Sequence, residues 1–409
     1  MTTTSIERDA TAAVVAGVDT HKDTHHVAVL ATGTGARLGD LKVPATPAGY
    51  KRLLGFVASF GVIALIGVEG TNSYGAGLSR FLTIEGVAIR EVIRPKRALR
   101  RRGKSDPIDA YAAAQQALAE PDTLPVAKTS DGPVEQIRVL MAVRRSAMKA
   151  RVAAYRQITS LLITAPDHIR GRWADLSGDV LIDQIAATRP GVATDNVTAA
   201  NGQALRRLAR RHQALTTEIT EIDAELRALV ATTAPAMLAT KGFGVVTSST
   251  LLIAAGDNPD RLRTEASFAA LCGTAPIPAS SGKTTRYRLN RGGDRQANWA
   301  LHQIALVRLA TDPRTKAYAA RLRSAGKSTK DVLRCLKRAI ARESWHLLVH
   351  PAAAPRVDDL RPLRHERGLS LTQAANHLGT VAARISELER GTRLNIQLAN
   401  AYREYLNAA

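Results

Sequence analysis

Aromatic residues make up only 4% of the 409-residue chain, too few for a surface that holds single strands mainly by base stacking. Cysteine is scarcer still. Cys272 and Cys335 stand in no metal-ligand or redox spacing, which excludes a disulfide framework and a cysteine zinc site, and both are expected as buried thiols. No apolar run approaches the ~18 residues of a spanning helix, and Met1 to Ala13 is polar without a signal-peptide core, so a membrane partner is excluded and a cytoplasmic location is expected. Acids are also in short supply: 36 Asp and Glu against 57 Lys and Arg leave a net charge of +21. That balance implies a polyanionic partner, because each cation set on a phosphate releases condensed counterions. Nucleic acid leads, read through backbone charge and shape. The 45% hydrophobic fraction is ordinary for a globular chain long enough for two or three domains with cores.

From Val14 three short β-prone runs, VVAGVD, HVAVLATG and ARLGDLKVPA, are parted by turns containing glycine, as in an antiparallel meander. A helix is predicted around Tyr50 to Phe60. The run VIALIGVE reads as a buried central strand, followed by a helix near Tyr74 to Leu82, the strand VAIREVI and an Ala-rich helix after Asp106. This βββαβαβα order matches an RNase H-like sheet over residues 14–122. Pro121, Pro125 and the TSDGP segment then break the chain. Apolar residues recur at three- and four-residue steps from Val134 to Thr164, predicting one long helix that carries Arg138, Arg144, Arg145, Lys149, Arg151 and Arg156 against Glu135. A second, from about Gly202 to Thr232, carries Arg206, Arg207, Arg210 and Arg211. Together they suggest an antiparallel or dimerising coiled-coil arm over residues 130–235, its basic faces either solvated or in contact with nucleic acid. From Ala236 a third, mainly helical unit runs to residue 350. Gly242 and Gly244 there resemble either a helix-hairpin-helix turn offering N–H groups to a phosphate or a simple helix start.

Asp19 ends the first strand, Glu69 ends the long apolar strand, and Asp106 and Asp109 stand three apart at a helix head, hence on one helical face. If the two strands are neighbours, four carboxylates converge. Such a nest is costly without cations, and hard oxygen ligands favour Mg²⁺, which in a two-metal centre activates an attacking oxygen and stabilises a leaving one at a phosphodiester. Each acid alone has a plainer role: Asp106 before Pro107 suits a helix N-cap, Asp109 the helix dipole, and Glu69 a solvated strand end. Between Arg94 and Lys104 the chain places seven cations, Arg94, Lys96, Arg97, Arg100, Arg101, Arg102 and Lys104, where nucleic acid would approach.

The segments GVDTHKDTHHVAV, GVEGTNSYG and RPKRALRRRGKSDPIDA resemble the N-terminal motifs of DEDD-type insertion-sequence transposases, the bridge-RNA-guided serine recombinases that include the pilin-gene invertase. The resemblance implies an RNase H-like, RuvC-like domain with Asp19, Glu69, Asp106 and Asp109 in its metal-binding positions. The stretch TAPIPASSGKTTRYRLNRGGDRQAN looks like the C-terminal signature, in which a serine before glycine in a basic loop is the nucleophile. Ser281 before Gly282 takes that place, with Ser280 as fallback, and Lys283, Arg286, Arg288, Arg291 and Arg295 would favour the alkoxide and the charged phosphorane. Without the resemblance, Ser281 reads as an ordinary turn residue. The RLNRGG string departs from the relatives' pattern and leaves Arg288 and Asn290 without an assigned role. His302 reads as a packed histidine.

LRPLRHERGLSLTQAANHLGTVAARISELERG resembles a phage-repressor helix-turn-helix in a module over residues 356–409, beyond the reach of the transposase resemblance. Leu371 to Leu378 would be its first helix and Val381 to Leu388 its recognition helix, with Gln373 and Arg384 reaching DNA. The resulting expectation is an α/β plus α recombinase acting on double-stranded donor and target DNA. A noncoding guide RNA and a dimer or tetramer are implied by the resemblance. The alternatives are a metal-dependent junction nuclease and a non-catalytic DNA-binding regulator.

Overall fold

Gly17 and Gly67 lie level on two adjacent parallel strands, and against them presses a helix whose contact face is nearly all alanine. The computed structural model describes residues 12–92, 105–194, 196–282, 287–288, 290, 292–351, 356–392 and 394–408. Its first unit, within residues 1–132 and 255–263, contains β1 (Ala13–Thr20), β2 (Thr24–Ala31), β3 (Arg37–Pro44), α1 (Pro47–Ala58), β4 (Val62–Glu69), α2 (Ala76–Ile84), β5 (Ile89–Val92) and α3 (Asp106–Ala119), in the βββαβαβα order expected. The sheet order is β3-β2-β1-β4-β5. The meander β1–β2–β3 is antiparallel, whereas β1–β4 and β4–β5 are parallel.

Strand periodicity sorts the side chains between two faces. Val14, Ala16, Val18, Ile66 and Val68 pack with Leu53 and Val57 of α1 and Leu78 and Leu82 of α2. Val15 and Leu65 face the other way, onto Ala113 and Ala117 of α3, and Ala28 and Leu30 meet Ala110 and Ala114. The helix comes close because the sheet offers no side chain there: a Cβ at Gly17 would stand 2.0 Å from Ala114 N, and one at Gly67 2.9 Å from Ala117 Cβ. By the same alternation Asp19 and Glu69 point to the α3 side.

The sequence-derived boundary places residues 255–263 in the third unit, but the structure groups them with the first. Asn258 Nδ2 donates to Ala127 O at 2.9 Å, and Arg261 caps Ala255 O at 2.7 Å. Gly256 has φ +91°, and a Cβ there would meet Lys128.

The second unit comprises residues 133–254 and 264–409. It opens with α4 (Pro133–Thr164), α5 (Asp167–Arg172), α6 (Gly178–Ala187) and α7 (Val197–Thr233). Asn196 caps α7 by accepting from Ala199 N at 2.8 Å. Helices α4 and α7 pack antiparallel, since Arg144 meets Asp223 while Tyr155 meets His212. Ile158, Leu205 and Ala209 share a core there with Trp173 and Ile182. There follow α8 (Pro235–Ala239), α9 (Val245–Ala255), α10 (Glu265–Leu271), the two-residue strands β6 (Ile277–Pro278) and β7 (Tyr287–Arg288), α11 (Arg295–Thr311), α12 (Pro313–Ser324) and α13 (Thr329–Val349). The terminal module holds α14 (Leu360–Glu366), α15 (Leu371–His377), α16 (Ala382–Glu389) and α17 (Ile396–Asn407) around a core of its own, with Leu360, Ile385, Leu388, Tyr402 and Leu406 fully buried. No helix among the described residues is long and apolar enough to cross a membrane.

Candidate acidic metal site and serine loop

Asp19 lies opposite His26 on β2, and His26 lies opposite Lys42 on β3. The parallel register Val18↔Val68 sets Glu69 level with Asp19, so a row of ionisable side chains crosses four strands at one sheet end. Thr20 Oγ1 donates to Glu69 O at 2.9 Å and ties the two strand ends together. Over this row comes the N-terminal turn of α3, with Asp106 and Asp109 on it. Asp19, Glu69 and Asp109 are buried at 1%, 4% and 5% exposure. The Asp106 side chain is 32% exposed.

The ligand atoms of Asp19, His21 and Asp106 all lie within 4.8 Å of one another. His21 Nε2 is 3.0 Å from Asp19 Oδ2 and 3.4 Å from Asp106 Oδ1. Lys42 Nζ takes the other Asp106 oxygen, Oδ2, at 3.2 Å. That hydrogen bond, against a small burial penalty and with help from His21, holds the Asp106 carboxyl below the usual carboxylate range. Among the described residues, the group with metal-ligand spacing is Asp19, His21 and Asp106, with Glu69 and Asp109 buried on the same side of the sheet. His21 was missed in the sequence because a histidine two residues past a strand-end aspartate carries no periodic signal. The donor set of two carboxylate oxygens and one imidazole nitrogen fits a divalent cation.

Ser281 is exposed in the loop between β6 and β7, and Gly282 turns the chain at φ +53°. β6 and β7 pair Ile277↔Arg288 and Pro278↔Tyr287, which closes the loop at its base. Below them, Gly293 at φ +85° lies where a Cβ would meet Leu271 O at 2.6 Å and Gly273 N at 2.7 Å. Asn298 Nδ2 donates to Cys272 O at 2.8 Å, and Lys337 Nζ donates to Asn298 Oδ1 at 3.0 Å. The Gly-Gly-Asp stretch and Asn298 thus form a clamp under the serine loop. Asn290 Oδ1 accepts from Gly292 N at 2.8 Å, giving Asn290 a turn-forming role. His302 is half-buried on α11.

Arg288 and Arg295 are exposed beside the loop, and Arg145 and Lys149 are exposed on α4. Arg94, Lys96, Arg97, Arg100, Arg101, Arg102, Lys104, Lys283, Arg286 and Arg291 lie outside the described residues. Several expected contacts are engaged inside the protein. Arg144 forms a two-pronged pair with Asp223 at 2.5 and 3.0 Å. Arg384 pairs with Glu387 at 3.2 Å, and Gln373 closes a capping box with Ser370. At the Gly242–Gly244 turn, Gly244 N donates to Thr247 Oγ1 at 2.9 Å, while the Arg308 guanidinium lies over the neighbouring Phe243 ring. Of the two thiols expected to be buried, Cys272 is buried and Cys335 is only half-buried.

Two family models match the chain in order, both described as transposase: a DEDD type of the IS110 group over residues 16–165 and the IS116/IS110/IS902 family over residues 234–320. The first span contains Asp19, His21, Glu69, Asp106 and Asp109. The second contains Ser281. The chain is 28% identical over 318 residues to an uncharacterized 42 kDa protein of insertion element IS900 from Mycobacterium paratuberculosis, covering 67% of this chain and 79% of the relative. It is also 29% identical over 196 residues to an uncharacterized 43.6 kDa protein of insertion element IS110 from Streptomyces coelicolor, covering 47% of this chain and 46% of that relative. Both matches fall on a mixed α/β sheet followed by a largely helical remainder, and over these two spans the chain is similar to the IS110/IS116 family of DEDD transposases.

Proposed function

We propose that this transposase cuts and rejoins DNA through a covalent link between Ser281 and a DNA phosphate, assisted by the carboxylates of the first unit. The observation that carries the reading is the exposed Ser281 between β6 and β7, inside one transposase match, while the acidic group stands inside the other. The Ser281 oxygen bonds to phosphorus as the bond to one deoxyribose oxygen breaks. The serine proton leaves with that oxygen as a hydroxyl. Rejoining runs the same step in reverse with a deoxyribose hydroxyl of another strand, so no external energy source is needed.

Asp19 and Asp106, with Glu69 and Asp109 buried on the same side, are the proposed ligands of a divalent cation, expected from the sequence as Mg²⁺. A cation held there supplies positive charge to phosphate oxygens. Arg288 and Arg295, with Lys283, Arg286, Arg291 and the run from Arg94 to Lys104, would hold the DNA backbone. Family resemblance adds a bridge-like noncoding RNA, for which Arg145 and Lys149 on α4 are candidate contacts, and a dimer or tetramer, since exchange of several strands needs several nucleophiles. The α15–α16 pair is the proposed helix-turn-helix reader of DNA.

The acidic group also favours a second reading, a metal-dependent nuclease that releases free ends. End-labelled element DNA incubated with full-length protein and run on a denaturing gel decides between them. A protein-linked band that disappears in Ser281→Ala and persists in Ser280→Ala is the expected result. Free cut ends with no linked band, unchanged in Ser281→Ala, would overturn the serine mechanism.

A further inference from the structure

The acidic group of the first unit is not made of oxygen alone, and the position of its nitrogen has chemical consequences. His21 Nε2 stands between two carboxylate oxygens from different elements, 3.0 Å from Asp19 Oδ2 at the end of β1 and 3.4 Å from Asp106 Oδ1 at the start of α3. Neighbouring ligand atoms on one octahedral cation with bonds of about 2.1 Å are about 3.0 Å apart. On a tetrahedral ion with bonds of about 2.0 Å the edge is about 3.3 Å. The two His21 separations, the shorter of them a hydrogen bond in the metal-free site, are close to such edges, and the Asp19 and Asp106 oxygens lie within 4.8 Å of each other, so one ion can reach all three atoms. Lys42 contacts Asp106 through its other oxygen, Oδ2, and leaves Oδ1 to this edge.

We infer that His21 is a ligand of the divalent cation and shifts the site's preference from Mg²⁺ toward first-row transition ions such as Mn²⁺. This rests on the proposed reading that the acidic group holds a cation, and it changes which cation is expected. Mg²⁺ favours oxygen ligands and gives up its waters reluctantly, whereas an imidazole nitrogen binds Mn²⁺, Co²⁺ and later ions progressively better. Three carboxylates would leave Mg²⁺ at no disadvantage; an imidazole in place of one of them does not. Asp19 is nearly inaccessible while the His21 side chain is 35% exposed, so the nitrogen lies on the side from which solvent and ions arrive.

The test uses metal-stripped full-length protein titrated with Mn²⁺, free ion being counted by its electron paramagnetic resonance signal, and repeated with Mg²⁺ as competitor. The wild type is expected to prefer Mn²⁺ and to show nitrogen hyperfine coupling to the bound ion. His21→Ala should lose that coupling and at least about tenfold in Mn²⁺ affinity, the lower end of what loss of even an outer-sphere partner costs, with Mg²⁺ affinity little changed. His21→Gln, which keeps a polar group, should behave like His21→Ala. Absent nitrogen coupling in wild type carrying Mn²⁺, or an unchanged ion preference in both variants, would overturn the inference while leaving the cation reading intact. If wild type binds neither ion better than Asp19→Asn does, the cation reading itself fails.

Discussion

Gly17 of β1 and Ala114 of α3 meet backbone to backbone: a Cβ on residue 17 would stand 2.0 Å from Ala114 N and 2.4 Å from Ala110 O. Neither obstacle is a flexible side chain, so Gly17→Ala must lift α3 from the sheet. Asp106 and Asp109 travel with that helix, away from Asp19. The expected loss of stability is at or above the upper end of the roughly 1–3 kcal/mol typical of overpacking, with loss of DNA cutting even where folded protein remains. Gly33→Ala, where nothing lies within 4 Å, is the control and should leave urea unfolding and cutting near wild type. Equal behaviour of the two variants would remove α3 docking from the account of the site.

Acid sensitivity should come in part from two buried histidines. Burial depresses the pKa of His25, which stacks on Tyr50 at 5.7 Å. Burial, with Arg151 adding, depresses that of His212. Both are therefore neutral in the fold where the unfolded chain already binds a proton. Stability is fully present above about pH 6.5 and declines as pH falls below it, by at most about 1.4 kcal/mol per pH unit for each histidine. Replacing His25 by Phe keeps the stacking and removes the proton, so the fall in urea midpoint between pH 7 and pH 5 should become shallower. An identical slope in wild type and His25→Phe would show that His25 carries none of it.

The sheet was legible because its strands alternate between two buried faces, and the four acids were legible because they interrupt apolar runs at strand and helix ends. Other features depend on positions distant in the chain. Gly17 looks like any glycine in a strand until α3 is laid over it. His21 acquires meaning only when Asp106, 85 positions later, arrives beside it. Arg144 and Arg384 also have partners that charge patterning does not reveal, Asp223 and Glu387. Asn258 and Arg261 were unreadable for a related reason, since they bind main-chain carbonyls of residues 126, 127 and 255, which have no sequence signature.

Cys272 reports on the clamp beneath the serine loop. Burial, with Asp294 adding, pushes its thiol up to about 12, and Cys335 is more accessible. Iodoacetamide on the native protein should label Cys335 and spare Cys272, as read by peptide mass spectrometry. Asn298→Ala removes the donors to Cys272 O and Gly273 O and deprives Lys337 of its acceptor. It should cost about 1–3 kcal/mol and admit the reagent to Cys272. If Cys272 stays protected in Asn298→Ala, Asn298 does not hold the loop base closed.

The terminal module concentrates its polar interior in one ion pair. Arg364 and Glu389 are almost wholly buried, 2.7 Å apart, and Tyr402 donates to the same Glu389 oxygen at 2.8 Å. Burial works to raise the Glu389 pKa, but Arg364 and Tyr402 outweigh it and hold the carboxyl ionised. Removing one partner strands the other charge in an apolar core, which costs roughly 3–5 kcal/mol, whereas replacing the whole set with apolar groups of similar volume can be nearly neutral. Arg364→Met alone should therefore unfold the module, seen as rapid hydrogen exchange in peptides from residues 360–407 of the full chain. Combining Arg364→Met with Glu389→Leu and Tyr402→Phe should restore slow exchange, less the bond from Arg364 to Leu369 O. If the single variant exchanges as slowly as wild type, the pair is dispensable and the module is held by its apolar core alone.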